Sequence, residues 1–187
     1  MPPKRRVVRE EIVDTAFEIV RECGDAALNA RMLAERLQCS TQPIFSNFRS
    51  MDEVRNAVIE QAYHCYRECM RREVESGKYP PYKASGMAYI RFAAEERELF
   101  KLLFMRDRTE EAVEENTEEG REMVAFVQDG TGLTEDDAKL FHLEMWICVH
   151  GIAVMIATNY LKLDWDLISR MLSDSYRSLK NDASKKE

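Results

Sequence analysis

The feature that most limits how this chain can fold is the segment from residue 29 to residue 54, which reads NARMLAERLQCSTQPIFSNFRSMDEV. It predicts two short helices joined by a tight turn. Asn29 is a good N-cap for the first helix, and Ser40 is expected to cap the second. Because Pro43 has no N–H, the Ser40 side chain would bond the N–H of Gln42. A short helix on a tight turn is how many proteins place side chains in the major groove of DNA.

Helical patterns also cover most of the chain outside this segment. Residues 8–22 carry the apolar stripe of an amphipathic helix that Gly24 would end. The capping box Ser50-Met51-Asp52-Glu53 predicts a fourth helix that runs towards Ser76. Further helices are predicted at residues 83–106 with a break near 95–97, and at 109–128, 134–160 and 164–180, with a turn at 129–132. Gly and Pro number only 7 and 5, so the fold class is predicted to be all-α.

Three parts follow from this pattern. Residues 1–50 are predicted to form a three-helix helix-turn-helix DNA-binding domain with a basic N-terminal arm. Residues 51–81 would be the connecting fourth helix and its breaker, and residues 82–187 a helical domain for effector binding and dimerisation. The net charge is −7 overall, but +1 over residues 1–50 and therefore −8 over the rest. This division suits local DNA contact by the first domain with repulsion elsewhere.

The composition indicates a cytoplasmic protein that needs no cofactor. Its five cysteines are an odd number without a CxxC pair, which indicates free thiols in a reducing compartment. The basic start has no apolar core behind it, so no signal peptide is predicted. The longest apolar run, residues 145–157, is too short to span a bilayer. Enzyme motifs are absent, and His64 with Cys65 and Cys69 lacks a fourth metal ligand, so we predict neither an enzyme nor a metal site.

The second short helix would read DNA through its N-terminal residues. Gln42 can form two hydrogen bonds with adenine, and Thr41 and Pro43 can contact a thymine methyl. Arg31 can reach a phosphate or a guanine, and the capped N-terminus of the fourth helix offers N–H groups to a phosphate. Phe45 and Phe48 are expected in the core rather than as stacking platforms for bases. The predicted DNA contacts are Lys4, Arg5, Arg6, Arg31, Ser40, Thr41, Gln42, Pro43, Phe45, Asn47 and Arg49.

The segment from Met145 to Ala157 is apolar on nearly every face, so a helix there must be buried on all sides. A domain of this size covers one face with its own helices and leaves another for a partner. Together with the last helix, the segment is predicted to form a four-helix bundle with a second copy of the chain. A purely monomeric core is the alternative. The predicted interface residues are Ile152, Met155, Ile156, Leu167, Ile168, Met171, Leu172, Tyr176 and Leu179.

Other apolar residues of the second domain are candidate walls of a pocket for a small molecule. Ten methionines suit an adaptable binding surface, and an apolar pocket with few polar groups is the usual form of such a site. The alternative for each residue is a place in the core. Polar candidates are His142, Glu144, His150 and Asn159, although His150 beside Gly151 is more typical of a structural histidine. The candidate walls are Tyr89, Phe92, Phe100, Leu103, Phe104, Met123, Phe126, Val127, Met145 and Cys148.

Two sets of residues resemble a known family. The DNA-binding domain of TetR-type transcriptional regulators is similar to the pattern Ile12, Ala16-Phe17, Gly24, Leu33-Ala34, Leu37, Ser40-Thr41-Gln42-Pro43-Ile44-Phe45, Phe48 and Glu53-Val54. One branch of that family, named for its Trp, His and Gly, has a second-domain signature that resembles Trp146 and His150-Gly151-Ile152-Ala153. The resemblance implies a homodimer that places both third helices in a palindromic operator. It also implies repression that a small, largely apolar effector relieves by spreading the two reading heads.

The sequence departs from the family pattern at three positions. The family often has Gly where Gln38 stands, so the turn must form without it. It usually has Tyr at the Phe45 position and Lys at the Met51 position, and both bind phosphates. Without these two groups, non-specific affinity would be lower and its salt dependence flatter, and we expect the basic arm to compensate. The alternative function is a helical small-molecule or protein-binding scaffold that no longer binds DNA.

Overall fold

The computed structural model describes residues 7–107 and 118–183. The α-helices in these ranges are α1 (Arg9–Cys23), α2 (Ala30–Arg36), α3 (Gln42–Asn47), α4 (Met51–Glu75), α5 (Pro81–Glu95), α6 (Arg97–Phe104), α7 (Glu118–Thr131), α8 (Glu135–Ala157) and α9 (Trp165–Ala183). No β-strand occurs within them, and the all-α fold class is confirmed.

The chain divides into two compact units. The first contains the described residues up to Arg67 together with Glu96–Arg106, and the second contains Glu68–Glu95 and the described residues from Asp107 onward. The sequence analysis placed residues 96–106 in the second domain. They lie in the first unit because α6 packs against α1 with an apolar face that is buried. Arg21 on α1 also donates from Nε to a Glu96 carboxylate oxygen at 2.7 Å, and its Nη2 forms a second bond to that carboxylate.

The core of the first unit is formed by one apolar stripe from each of its longer helices. On α1, Ile12, Ala16 and Ile19 are fully buried, which is the spacing of a single helical face. Gly24 ends α1 at φ +83°, and its N–H donates to the Val20 carbonyl oxygen at 2.8 Å. The predicted end of α1 is therefore confirmed.

Three other helix starts and stops were predicted with mixed results. The Asn29 cap of α2 is confirmed, since its side chain accepts from two N–H groups of the first turn. The Ser40 cap of α3 is wrong, because α3 begins one residue later with Thr41 as N-cap and no side-chain cap bond. Of the predicted box before α4, Ser50 Oγ does accept from the Glu53 N–H at 3.3 Å. The Glu53 carboxylate, however, accepts from the Arg49 N–H at 2.7 Å rather than from Ser50.

The second unit is built around α5 and α8, which share the most extensive helix contact in the described chain. Gly86 allows this approach, since a Cβ there would lie 3.2 Å from a Val149 methyl carbon. On the α9 side of α5, Lys83 Nζ donates to Ser169 Oγ at 2.7 Å and to Ser173 Oγ at 2.8 Å. A smaller core cluster joins Val127 on α7 to α8 and α9.

The predicted helices of the second unit agree with the structure except at the turn between α7 and α8. The break near residues 95–97 is confirmed at Glu96, between α5 and α6. The predicted turn at 129–132 begins too early, because α7 continues to Thr131 and only Gly132 adopts a left-handed φ of +78°. Thr134 caps α8 by accepting from the Asp137 N–H. The first part of the helix predicted at 109–128 lies outside the described residues.

Helix α8 is longer than its apolar centre suggested. With 23 residues it is long and apolar enough to cross a membrane by length and composition alone, although only one such helix occurs in the described ranges. Its contacts with α5, α7 and α9, and buried residues such as Phe141 and Ala153, are those of a core helix in the second unit.

Candidate nucleic-acid interface

The turn between α2 and α3 closes without a glycine. Gln38 adopts φ +53°, which is the left-handed region that glycine favours. Its N–H donates to the Glu35 carbonyl oxygen, and the Cys39 N–H donates to the Ala34 carbonyl oxygen at 3.0 Å. These two bonds satisfy groups at the end of α2 and set the direction in which the chain enters α3.

Helix α3 is held in the first unit by two buried side chains and exposes the rest. Ile44 is fully buried and Phe48, which directly follows the helix, is 2% exposed. Thr41 and Gln42 at its N-terminus are exposed to solvent. Phe45 is 49% exposed, so the expectation that it lies in the core is wrong, whereas for Phe48 it is correct. The exposed face of α3 with its N-cap therefore carries three polar side chains, those of Thr41, Gln42 and Ser46, and one aromatic ring.

The remaining predicted DNA contacts within the described residues differ in whether their side chains are exposed to solvent. Arg31, Ser40 and Arg49 are exposed, and within the described ranges neither arginine side chain forms an ion pair. Asn47 is half-buried, and its Nδ2 donates back to the Pro43 carbonyl oxygen at 2.8 Å. Its side chain closes the last turn of α3 instead of projecting outward. Lys4, Arg5 and Arg6 lie outside the described residues.

Arg9, the first residue of α1, contacts the far end of α3. Its Nη1 donates to the Asn47 carbonyl oxygen at 2.9 Å and to Glu53 Oε1 at 3.2 Å. The guanidinium carbon lies 3.9 Å from the centre of the Phe48 ring. The Arg49 N–H, and then the neighbouring Arg9 guanidinium, hold the pKa of the Glu53 carboxyl below its ordinary value. The sequence analysis missed this cluster because Arg9 is 38 residues from Asn47 and 44 residues from Glu53 along the chain.

The second unit pairs tyrosines of α5 with histidines of α8. The Tyr82 hydroxyl lies 3.1 Å from His142 Nδ1, and the Tyr89 hydroxyl lies 2.9 Å from His150 Nδ1. Burial lowers the pKa of both histidines. Trp146 stacks on the His150 ring at a centroid distance of 5.0 Å and an interplanar angle of 14°. His150 is thus part of a structural contact between helices.

Similarity to known proteins agrees with both units. A family profile described as the tetracycline repressor-like C-terminal domain matches residues 82–175, which is half of the chain. The chain belongs to the TetR family. A solved structure of a TetR-family member from Streptomyces coelicolor A3 has a TM-score of 0.56 to this chain at 15% identity. It covers 89% of this chain and 96% of its own, and at this identity the likeness concerns the fold alone.

No curated protein sequence matches the chain. TetR-family proteins are transcriptional regulators, and they generally bind DNA and small-molecule effectors and form dimers. The range matched by the TetR profile spans Trp146, His150 and Gly151, the residues on which the resemblance to one branch of the family was based. In this chain the first two form the stacked pair on α8.

The predicted pocket walls of this TetR-family chain fall into both units. Phe100, Leu103 and Phe104 belong to the first, where Phe104 has edge contacts with Tyr63 and Tyr66 at centroid distances of 6.3 and 5.2 Å. The others belong to the second unit. There Tyr89, Phe92, Val127 and Met145 are buried, and Met123, Phe126 and Cys148 are half-buried.

One open groove in the second unit was not predicted. It has a volume of about 480 Å³ and an apolar floor that includes Leu140, Phe141 and Leu179. Its rim carries the carboxylates of Asp137 and Glu144, together with Asp182. The sequence analysis named Glu144 and Leu179 for other roles, and no pattern in the sequence indicated a groove between α8 and α9. No group of three or more His, Cys, Asp or Glu side chains in the described chain is placed to hold a metal ion.

The predicted dimer residues separate into exposed and buried ones. Met155, Leu167 and Met171 are 36–39% exposed. Ile152, Ile156, Ile168 and Leu172 are buried, so these four offer little surface to a second copy. Tyr176 and Leu179 are half-buried and pack on the Val127 cluster. On α8 the structure exposes four apolar side chains that were not among the predicted interface residues: Leu140, Leu143, Trp146 and Ile147.

Proposed function

We propose that this TetR-family regulator is a cytoplasmic dimer that reads a palindromic operator with α3 and represses transcription until a small, largely apolar effector releases it. DNA binding is assigned to the first unit, and effector binding and dimerisation to the second. The observation that carries the proposal is α3 itself, whose buried Ile44 and Phe48 hold it in place while Thr41 and Gln42 remain exposed.

The chemistry of the exposed face fits the edges of bases in the major groove. A glutamine amide can donate to and accept from adenine at once, and a threonine methyl can contact a thymine methyl. Exposed Arg31 and Arg49 flank this face and supply two cations for phosphates. The N-terminus of α4 adds less than the sequence indicated, because the Glu53 N–H is already bonded to Ser50 Oγ.

A second copy of the chain is the proposed partner of the exposed apolar face of α8 and α9. Leu140, Leu143 and Ile147 follow the spacing of one helical face and are 50–58% exposed. Gly151 continues this face, and a Cβ on it would meet no atom of the described residues within 4 Å. No contact among the described residues requires a glycine there, and a small residue at this position suits the close approach of a second helix. Exposed apolar residues gathered on one face are typical of an interface.

The proposed effector is an apolar small molecule with few polar groups. Support comes from the aromatic and methionine side chains of the second unit, including Phe92 and Met145, and from the hydroxyl–imidazole pairs of α5 and α8. Native mass spectrometry of the freshly purified chain tests this directly. A bound compound that lowers affinity for DNA supports the repressor mechanism, and a compound that raises this affinity contradicts it.

The function is tested by selecting bound sequences from random duplex DNA with the full chain. We expect an enriched inverted repeat, and Gln42→Ala should relax the preference at one base of each half-site at a cost of about 1–3 kcal/mol. Gln61→Ala is the matched control, since Gln61 lies on α4 and bonds Asp14 on α1. If no sequence is enriched above background, the proposal fails in favour of a helical scaffold that does not bind DNA.

A further inference from the structure

We infer that Arg9 is a positioning residue for DNA reading, which locks the C-terminal end of α3 through Asn47, Phe48 and Glu53 rather than contacting a phosphate. This inference rests on the proposed function. It assigns a role to a residue that composition alone would place in the basic arm.

The need for such a lock follows from the length of α3. The helix has six residues, and its N-cap Thr41 makes no side-chain cap bond. Helices this short are unstable in isolation, so their orientation depends on contacts with the rest of the protein. Near its N-terminus α3 is held by the preceding turn and by buried Ile44, so a second set of contacts at its C-terminal end is needed to fix the direction of Thr41 and Gln42.

Arg9 stabilises the C-terminal end of α3 through three contacts. Nη1 donates to the Asn47 carbonyl oxygen, one of the last carbonyls of α3, which has no partner within the helix. The same nitrogen donates to Glu53 Oε1 on α4. The face of the guanidinium lies over the Phe48 ring, 3.9 Å from its centre. One side chain therefore joins the starts of α1 and α4 to the end of α3.

Glu53 extends the lock to the backbone that leaves α3. Its Oε2 accepts from the Arg49 N–H at 2.7 Å while Oε1 accepts from Arg9. The backbone is therefore held by hydrogen bonds on both sides of Phe48, at the Asn47 carbonyl oxygen by Arg9 and at the Arg49 N–H by Glu53. Because Glu53 neutralises the Arg9 charge and Asn47 occupies the same nitrogen, Arg9 is poorly arranged to serve as a free phosphate contact.

The geometry requires arginine and not only a positive charge. A guanidinium is planar and carries several donors, so it can stack on a ring while it donates in its own plane. A lysine ammonium is a point charge on a flexible stem and cannot do both. Arg9→Lys is therefore the most informative variant, because it keeps the charge that a phosphate contact would need and loses the geometry that a lock needs.

The test uses a duplex enriched by the wild-type chain and a scrambled duplex of equal length, each titrated over a range of KCl concentrations. We expect Arg9→Lys to weaken binding to the enriched duplex about tenfold or more, as expected for loss of a charged hydrogen bond. Affinity for the scrambled duplex and the salt slopes should remain those of the wild type. Glu53→Gln, which removes the ion pair with Arg9, should reproduce part of this loss.

Arg36→Gln is the matched control. It removes the ion pair to Glu22, which is formed at 2.7 Å by side chains of similar exposure and does not involve α3. A comparable loss of thermal stability in Arg36→Gln without loss of discrimination between the duplexes would show that the effect of Arg9 is not merely structural. Amide exchange at Phe48 and Arg49, which bond Ile44 and Glu53, should accelerate only in the Arg9 and Glu53 variants.

The outcomes separate this inference from the proposed function. If the wild type enriches no duplex, both fail. If a duplex is enriched and Arg9→Lys binds it like the wild type, only the positioning role is wrong. A phosphate contact would instead appear in Arg9→Gln as a salt slope lower by about 1 on both duplexes, with Arg9→Lys unaffected. That result would also overturn the inference.

Discussion

At the scale of single residues, Gln38 shows how this chain forms a helix-turn-helix without the glycine that related proteins often have. Its φ of +53° lies in the left-handed region, where a side chain with a Cβ is disfavoured. The bonds from Gln38 and Cys39 to α2 maintain the turn despite that cost. The position therefore stores a small strain that a substitution can release.

We predict that Gln38→Gly raises the free energy of unfolding by about 1 kcal/mol, because glycine adopts this φ without steric cost. Urea denaturation followed by circular dichroism measures the change. Glu35→Gly, at an exposed position inside α2, is the control and should lower stability by about 1 kcal/mol. Equal destabilisation by both glycines would contradict this account of the turn.

Burial of the His142 side chain should make the free energy of unfolding depend on pH. Burial lowers the pKa of His142 in the folded state below its ordinary value of 6.5. The unfolded chain therefore binds a proton more readily than the folded one, and stability present above about pH 6.5 is lost as the pH falls towards the folded-state pKa. Denaturation of His142→Gln over this pH range should give a shallower decline than the wild type.

Tyr82→Phe is the control for this prediction. It removes the hydroxyl next to His142 Nδ1 and leaves the ring that buries the histidine. Because burial is the cause of the shift, the decline below pH 6.5 should persist in this variant. A decline that disappears in Tyr82→Phe and remains in His142→Gln would contradict the assignment.

Sequence reasoning worked best where the controlling interaction is local. The Asn29 cap and the stop at Gly24 depend on neighbours within four residues and were visible in the pattern. The Ser40 cap failed because Thr41 already has a helical backbone conformation and takes the N-cap position. The role of Arg9 could not be found in this way, since its partners come from two other helices.

At the scale of helices, α8 shows the limit of apolar patterning. Its centre is apolar all round, so the sequence indicated burial on every side but not which side faces the chain itself. Four of the nine predicted interface residues are buried in their own unit, and the outer face carries Leu140, Leu143 and Ile147. Helix α6 shows the same limit, because only its packing on α1 places it in the first unit.

We predict that Ile147→Glu converts the dimer to a monomer at micromolar concentration, because it introduces a charge into the centre of the proposed interface without disturbing the core. Ile147 is 58% exposed, so the folded subunit should tolerate the change. Sedimentation equilibrium measures the mass, and circular dichroism verifies the helix content.

Val74→Glu is the matched control for the dimer. Val74 is also exposed, at 38%, but lies on α4 and not on α8 or α9. It should leave the mass of two chains unchanged. A wild type that sediments as one chain, or an Ile147→Glu variant that remains a dimer, would exclude this interface.

At the scale of the whole molecule, the uneven charge bears on the proposed binding to DNA. The chain carries −7 overall, so its long-range field opposes DNA except near its basic N-terminus. By resemblance to the family, Phe45 and Met51 stand where side chains that bind phosphates are usual. The basic N-terminal arm would therefore have to supply a larger share of the phosphate contacts.

We predict that deletion of residues 1–6, which removes Lys4, Arg5 and Arg6 and retains Arg9, weakens binding to the enriched duplex most at low salt. The slope of log affinity against log salt should fall by about 0.9 for each phosphate that the arm no longer neutralises. Changing Lys185 and Lys186 to glutamine removes two cations at the other terminus and is the control. An unchanged slope in the deletion would refute the role of the arm.

The central claim, that two copies of α3 read DNA together, is tested most directly by the composition of the complex on the enriched duplex. Native mass spectrometry should give two chains, or a multiple of two, on a duplex with an inverted repeat, and the half-site centres should lie about one helical turn apart or a multiple of it. Removing one half-site should abolish stable binding. A single chain bound to a site without symmetry would contradict the account.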